Sequence, residues 1–170
     1  MKKILIIIGL MIAGFCSKAQ IMNNSCQYLQ QYEGTWLYSN GQESIKIVFR
    51  FFNDYSANAK VIKDNLYGWY EYKQGSTVIA TTLRSANATL HYNYDDADAP
   101  IPPIALQLVE CTNSCLHLNG TIKELVAGNF FMVDATLNAA KTTLTWHQQN
   151  REGYGGHPMI LPKTFVLVKQ

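Results

Sequence analysis

Residues 34–52 read GTWLYSNGQESIKIVFRFF, and this stretch decides the fold. Asn40-Gly41 is a strong signal for a tight β-turn, and apolar and polar side chains alternate on both sides of it. The pairing that places Trp36 opposite Ile45 collects the large apolar side chains of both runs on one face. The stretch therefore predicts an antiparallel hairpin with one buried face.

The same combination of alternating runs and turn residues recurs along the chain. A second hairpin is predicted to turn at Gln74-Gly75. A third is predicted to turn at residues 138–141, where pairing Ala135 with Leu144 gives an apolar face. Further strands are predicted over residues 104–110, 115–123 and 163–169.

This strand pattern predicts an all-β fold. We expect a single up-and-down antiparallel β-barrel of about 8–10 strands, preceded by a short helical turn near residues 25–31. A β-sandwich is the alternative, but successive hairpins with few long crossovers favour a barrel, whose closure removes exposed strand edges. Residues 93–103 and 152–162 are rich in proline or glycine and are predicted to be surface loops.

The first 19 residues have the pattern of a secretory signal peptide. Lys2 and Lys3 precede an apolar run over residues 4–15, and small residues lead to a cleavage site after Ala19. The apolar run is too short to span a bilayer of about 30 Å as a helix. The sequence therefore predicts a leader over residues 1–19 and one exported β-barrel domain over residues 20–170, acting in the periplasm or outside the cell.

The charge of the mature chain gives no reason to expect nucleic acid as a partner. Loss of Lys2, Lys3 and Lys18 with the leader lowers the count of basic residues from 14 to 11, against 12 acidic ones, so the net charge is near −1. Nucleic-acid binding needs a clustered positive charge, which the sequence lacks. No second apolar run reaches membrane-spanning length, so we expect no membrane span in the mature protein.

Gly34-Thr35-Trp36, which follows the predicted helical turn, resembles the Gly-x-Trp signature of lipocalin-like (calycin) β-barrels. The resemblance implies that Trp36 closes one end of the barrel against the last strand, beneath a basic side chain that Lys163 or Lys169 would supply. The layout of the whole mature chain, from this motif to the closing LPKTFVLVK, also resembles an uncharacterised family of small exported bacterial proteins. That second resemblance implies no activity.

Three cysteines remain after removal of the leader, namely Cys26, Cys111 and Cys115. If residues 112–114 form a hairpin loop, with Gln107 opposite Asn119, Cys111 faces Cys115 at a distance that suits a disulfide. A disulfide from Cys26 to either of them is the alternative. The spacing is not Cys-x-x-Cys, and a metal site on these sulfurs would lack an identifiable fourth ligand, so we predict neither a redox centre nor a metal site.

Catalytic signatures are not evident. The histidines are dispersed, and the acidic run at residues 95–98 lacks the ligand spacing of a calcium loop. Asp134 and His147 share a face of the third hairpin and could act as acid and base, although a surface hydrogen bond is the ordinary explanation. We therefore predict a protein that is not an enzyme, with no catalytic residue, cofactor or metal.

The candidate ligand-pocket residues are aromatic: Trp36, Phe49, Trp69, Tyr70 and Trp146. They could line a cavity for a small hydrophobic or amphipathic ligand, or they could simply fill the core, because an eight-stranded barrel can be open or packed shut. The leading hypothesis is an exported, non-enzymatic barrel that binds such a ligand. The alternative is a protein-interaction or inhibitor module of the cell envelope that acts through its two long loops.

Overall fold

A computed structural model of the chain describes residues 22–24, 27–56, 61–86, 102–109, 115–150 and 158–170. The strands are β1 (Met22–Asn24), β2 (Gly34–Ser39), β3 (Glu43–Ser56), β4 (Val61–Gln74), β5 (Thr77–Thr81), β6 (Ile104–Leu108), β7 (His117–Lys123), β8 (Phe130–Leu137), β9 (Thr143–Asn150) and β10 (Thr164–Lys169). Two short 3₁₀ helices span Gln27–Tyr32 and Leu83–Ser85. The leader, Cys26, Cys111 and most of the two predicted loops lie outside the described residues.

Eight strands close into one antiparallel barrel. The order around the barrel is β2, β3, β4, β6, β7, β8, β9 and β10, and β10 pairs with β2 to complete the ring. The strand order follows the chain order, which confirms the predicted all-β, up-and-down antiparallel barrel. Strands β1 and β5 pair with β4 at positions beyond its contact with β6, and β1 does so in parallel. No helix in the described residues is long and apolar enough to cross a membrane.

The barrel interior is filled by one contiguous set of apolar side chains. Its largest fully buried members are Trp36, Trp146, Tyr32, Tyr70, Tyr72, Phe49, Phe131, Leu29, Ile45, Ile47 and Leu66. Two glycines make room for this packing. A Cβ atom at Gly68 would lie 2.8 Å from the Phe49 ring, and one at Gly120 would lie 2.0 Å from the carbonyl oxygen of Ala105. The absence of a side chain at these positions lets the strands and the Phe49 ring pack closely.

The first 3₁₀ helix closes one end of the barrel, which we call the base. Trp36 Nε1 donates a hydrogen bond to the carbonyl of Tyr32 at 2.8 Å. Lys169 Nζ donates to the carbonyl of Gln31 at 2.7 Å and lies 5.4 Å from the centroid of the Trp36 ring. Trp36 therefore points inward, as predicted, and the basic residue above it on the last strand is Lys169. Gly34, at φ +115°, adopts a backbone conformation that favours glycine.

The predicted registers of two hairpins are wrong by two residues. Trp36 lies opposite Ile47, and Ala135 lies opposite Trp146. Because side chains alternate with a period of two, this shift leaves every residue on its predicted face, so the apolar faces are those that the sequence indicates. The end opposite the base, where the β2–β3, β4–β5, β7–β8 and β9–β10 connections lie, is called the mouth.

Candidate functional site

The structure brings four of the five predicted pocket residues together. Trp36, Phe49, Tyr70 and Trp146 belong to the interior set and are buried. Trp69 is also buried, but it lies in a separate cluster on the outer face of β4. Strand alternation separates it from Tyr70, since neighbouring side chains of a strand point to opposite faces. The structure therefore does not bring Trp69 to the interior.

The outer cluster around Trp69 is covered by the second 3₁₀ helix. Its members are Tyr67, Trp69 and Ala86, with Phe52, Leu83 and Ala105 packed against them. Arg50 Nη1 donates a hydrogen bond to the carbonyl of Ala86 at 2.7 Å, and its guanidinium lies 5.5 Å from the centroid of the Phe52 ring. Arg50 thus holds the covering segment against the barrel wall, which accounts for the burial of Trp69.

A buried polar cluster lies at the mouth. Glu124 is 1% exposed and Gln148 is fully buried. Trp146 Nε1 donates to Gln148 Oε1 at 3.2 Å, and Gln148 Nε2 donates to Glu124 Oε1 at 2.7 Å. This chain of hydrogen bonds fixes the orientation of the glutamine amide and of the carboxylate inside an otherwise apolar end of the barrel.

The short segment before β10 occupies the mouth above this cluster. The backbone N–H of Ile160 donates to Glu124 Oε2 at 2.6 Å, and that of Leu161 donates to Glu124 Oε1 at 3.2 Å. Gln148 Nε2 also donates to the carbonyl of Leu161 at 3.3 Å. The side chain of Leu161 is 3% exposed and joins the interior set. Glu124 and Gln148 therefore tie residues 160–161 into the barrel end.

Two tyrosines contribute hydroxyls to the same end. The Tyr70 hydroxyl accepts a hydrogen bond from the N–H of Leu125 at 2.9 Å. The Tyr72 hydroxyl donates to Glu43 Oε1 at 2.8 Å and accepts from Gln74 Nε2 at 2.9 Å. Burial is the main cause that raises the pKa of each tyrosine above the ordinary value of 10.0. Both phenols are therefore neutral near pH 7.

The mouth carries buried negative charge without a cationic partner among the described residues. The ion pairs that the described part of the chain contains are Lys73 with Glu71 and His117 with Asp134, and neither involves Glu124. Three N–H donors satisfy the oxygens of Glu124 but do not neutralise its charge. The arrangement can accept hydrogen bonds from a polar head group, and its charge favours a positive one.

The predicted disulfide remains a prediction. Cys115 is buried at the base, with φ +40°, and its carbonyl accepts hydrogen bonds from the Tyr32 hydroxyl at 2.9 Å and from Gln31 Nε2 at 3.1 Å. Cys26 and Cys111 lie outside the described residues. Gln107 does lie opposite Asn119, which confirms the β6–β7 register that the clasp between Cys111 and Cys115 requires.

Asp134 and His147 are cross-strand neighbours on the outer face, but their side chains have other partners. Asp134 Oδ1 lies 3.5 Å from His117 Nε2, and both side chains are about half exposed. His147 Nδ1 lies 2.9 Å from Thr164 Oγ1. The ranges that the structure describes contain no group of three or more His, Cys, Asp or Glu side chains able to hold a metal.

Sequence reasoning missed Glu124 and Gln148, although one of them left a signal. Leu144 and Trp146 occupy inward positions of β9, so alternation places Gln148 inside the barrel as well. A polar residue at an inward position indicates a hydrogen-bonded partner in the core. Glu124 gave no such signal, because it lies one residue beyond the end of β7.

A family model matches residues 1–123, which is more than half of the 170-residue chain. The family is described as a family of unknown function, DUF6705. The matched range ends with strand β7, so Glu124, Gln148 and Leu161 lie beyond it. Searches of curated proteins and of solved structures found no match. The extent of the family match shows that the chain belongs to the family of unknown function DUF6705.

Proposed function

We propose that this protein is an exported, non-enzymatic barrel that binds a small hydrophobic or amphipathic ligand at its mouth. The observation that carries the proposal is the buried pair of Glu124 and Gln148, held in fixed orientation among aromatic side chains. Ligand sites typically combine an apolar lining with a few precisely placed polar groups. The leader pattern of residues 1–19 supports export.

The likeness to lipocalin-like barrels also supports this proposal. Gly34 and Trp36 on the first barrel strand, the 3₁₀ helix before them and Lys169 above the indole form the arrangement that the Gly-x-Trp resemblance implies. Eight-stranded barrels of this kind are wide enough to hold one small ligand. We therefore assign a lipocalin-like fold and carrier role as part of the proposal.

The mouth is a better place for a ligand than the base. The base is filled by Tyr32 and Trp36, whose polar atoms bond to the backbone of the barrel's own closing elements. The mouth is covered in part by residues 158–163, which lie outside the regular strands. A ligand at the mouth displaces only this short irregular segment, whereas a ligand at the base would displace the fully buried Tyr32 and Trp36 side chains.

Native mass spectrometry and a fluorescent apolar probe test this proposal. The exported protein, purified under mild conditions, is expected to carry a small molecule that denaturation releases, and to bind N-phenyl-1-naphthylamine at a 1:1 ratio. Ala80→Phe, which adds bulk at an interior position, should weaken probe binding, whereas Val78→Phe on the exposed side of the same strand should not. The proposal would be overturned if the wild-type protein released no small molecule and also failed to bind the probe stoichiometrically.

The alternative function, a protein-interaction or inhibitor module of the cell envelope, is favoured by one surface feature. The β7–β8 connection exposes large apolar side chains at the rim of the mouth, with Leu125 48% and Val126 57% exposed. In a cross-linking experiment on envelope extracts, the double variant Leu125→Ser/Val126→Ser should lose a protein partner if this reading is correct. Val166→Ser/Val168→Ser, which alters exposed valines on β10, is the matched control.

A further inference from the structure

Residues 160–161 make contacts at the mouth that a bound molecule would make. The branched side chain of Leu161 enters the apolar interior. The two neighbouring backbone N–H groups donate to both oxygens of Glu124, and the Leu161 carbonyl accepts from Gln148. An apolar group in the core, with donors on a fixed carboxylate and an acceptor on a fixed amide, is the contact pattern of an amphipathic ligand.

The polar framework under this segment is held independently of it. Gln148 is part of β9 and is oriented by Trp146 Nε1, and Glu124 follows β7 directly. The bond from Gln148 Nε2 to Glu124 Oε1 at 2.7 Å joins the two groups without using the covering segment. Displacement of residues 160–161 would therefore leave an oriented carboxylate and amide facing the vacated position.

The charge at this position selects the chemical class of the displacing molecule. Backbone amides donate hydrogen bonds to Glu124 but bring no positive charge, and within the described residues no lysine, arginine or histidine neutralises it. A charge in an apolar surrounding gains most from an oppositely charged, hydrogen-bonding partner. An ammonium group satisfies both requirements, whereas a hydroxyl supplies only the donor and a carboxylate is repelled.

We propose that residues 160–161 act as an internal ligand, and that the external ligand is a primary alkylamine or a related amphipathic ammonium compound that displaces them. Its ammonium group binds Glu124, and its apolar chain takes the place of the Leu161 side chain. The inference rests on the proposed ligand-binding function and adds the chemical class of the ligand and the segment with which it competes.

Calorimetric titration with three probes of equal chain length tests the inference. The wild-type protein is expected to bind octylamine at least about tenfold more tightly than 1-octanol, and octanoate most weakly. Equal binding of octanol or octanoate would overturn the inference while leaving the carrier function intact. Binding of none of the three would count against both. These comparisons use one protein and do not depend on any variant.

Variants then assign the preference to particular residues. Glu124→Gln should reduce the ratio of octylamine to octanol affinity to near one, whereas Asp134→Asn, which alters a half-exposed carboxylate on the outer face of the barrel, should preserve that ratio. Leu161→Ala weakens the internal competitor, so it should lower the melting temperature and raise octylamine affinity several-fold. A Leu161→Ala protein that melts earlier with no gain in affinity would show that Leu161 is only a core residue, and would overturn the competition.

Discussion

At the scale of single residues, Lys169 joins the last strand to the element that closes the base. Its ammonium group donates to the Gln31 carbonyl and lies over the Trp36 ring. Lys169→Met removes the hydrogen bond and the cation–π contact but keeps an apolar stem, so it should lower the free energy of unfolding by about 1–2 kcal/mol. Lys163→Met, at the exposed position directly before β10, is the control and should change the free energy of unfolding little.

Guanidinium chloride unfolding at pH 7 measures this difference. An equal loss of stability in both variants would mean that the charge of the last strand matters and the contacts of Lys169 do not. The Gly-x-Trp resemblance limited the basic side chain above Trp36 to two candidates, Lys163 and Lys169. Choosing between them required the register of β10 with β2, in which Lys169 lies opposite Trp36.

Buried tyrosines make the stability of the barrel depend on alkaline pH. Burial is the main cause that raises the pKa values of Tyr32 and Tyr70 above the ordinary value of 10.0. The unfolded chain therefore releases these protons at a lower pH than the folded chain, so their contribution to stability is complete below about pH 10 and is lost as pH rises through the folded pKa values.

Urea unfolding at a series of pH values tests this expectation. The free energy of unfolding should change little between pH 7 and 9 and fall above about pH 10, by up to about 1.4 kcal/mol per pH unit for each buried tyrosine. Tyr70→Phe should reduce the steepness of the fall, even though it loses the hydrogen bond from Leu125. A free energy that stays constant to pH 11.5 would contradict the burial of these phenols.

At the scale of elements, the two asparagine-led turns set the hairpin registers. Asn40 Oδ1 accepts the N–H groups of Gln42 and Glu43, and Asn138 Oδ1 accepts those of Thr142 and Thr143. The backbone closes each turn one residue later than predicted, with the N–H of Asn40 donating to the carbonyl of Glu43 and that of Asn138 to the carbonyl of Thr143. The loops keep their predicted lengths, and the registers move by two residues.

Asn138→Ala removes both of these hydrogen bonds and should lower the free energy of unfolding by about 1 kcal/mol, since two backbone donors lose their acceptor. Asn138→Asp retains an acceptor oxygen and should stay close to wild type. Chemical denaturation of the two variants measures the difference. Equal stability of the alanine and aspartate variants would show that the side-chain oxygen does not hold the turn.

These turns explain which parts of the fold the sequence could predict. The buried faces followed from alternation alone, because a shift of two residues preserves them. The registers depended on the hydrogen bonds that the Asn40 and Asn138 side chains accept. Turn propensity does not distinguish these from backbone hydrogen bonds. Strand β4 carries aromatic side chains on both faces, so alternation does not decide which face is interior, and the cover over Trp69 comes from the 3₁₀ helix after β5.

At the scale of the whole molecule, the candidate site shows why function was harder to predict than fold. Glu124, Gln148 and Leu161 come from three separate parts of the chain, and only closure of the barrel brings them together. Local sequence patterns report on neighbours within one hairpin. They therefore predicted the aromatic interior, and of the polar cluster at its mouth they indicated only Gln148, through its inward position on β9.

The closed barrel consists of two well-paired units joined by two short seams. Strands β3 and β4 share fourteen residue pairs, whereas β4 and β6 share three and β10 and β2 share two. Backbone hydrogen bonds that are few and lie at a strand end open at lower free energy than those in the middle of a long ladder. The β2–β4 unit and the β6–β10 unit should therefore separate at these seams before either unit unfolds.

Native-state hydrogen exchange tests this order of opening. Amides that donate across the β4–β6 and β10–β2 seams should exchange at lower free energy than those of Val48 and Arg50, which face β4 in the middle of the β3–β4 ladder. Lys169→Met should speed exchange at the β10–β2 seam and leave the β4–β6 seam unchanged, because only the former loses a contact. Equal exchange free energies across the barrel would instead mean that it opens as one cooperative unit, in which the number of pairs at a seam does not decide where opening begins.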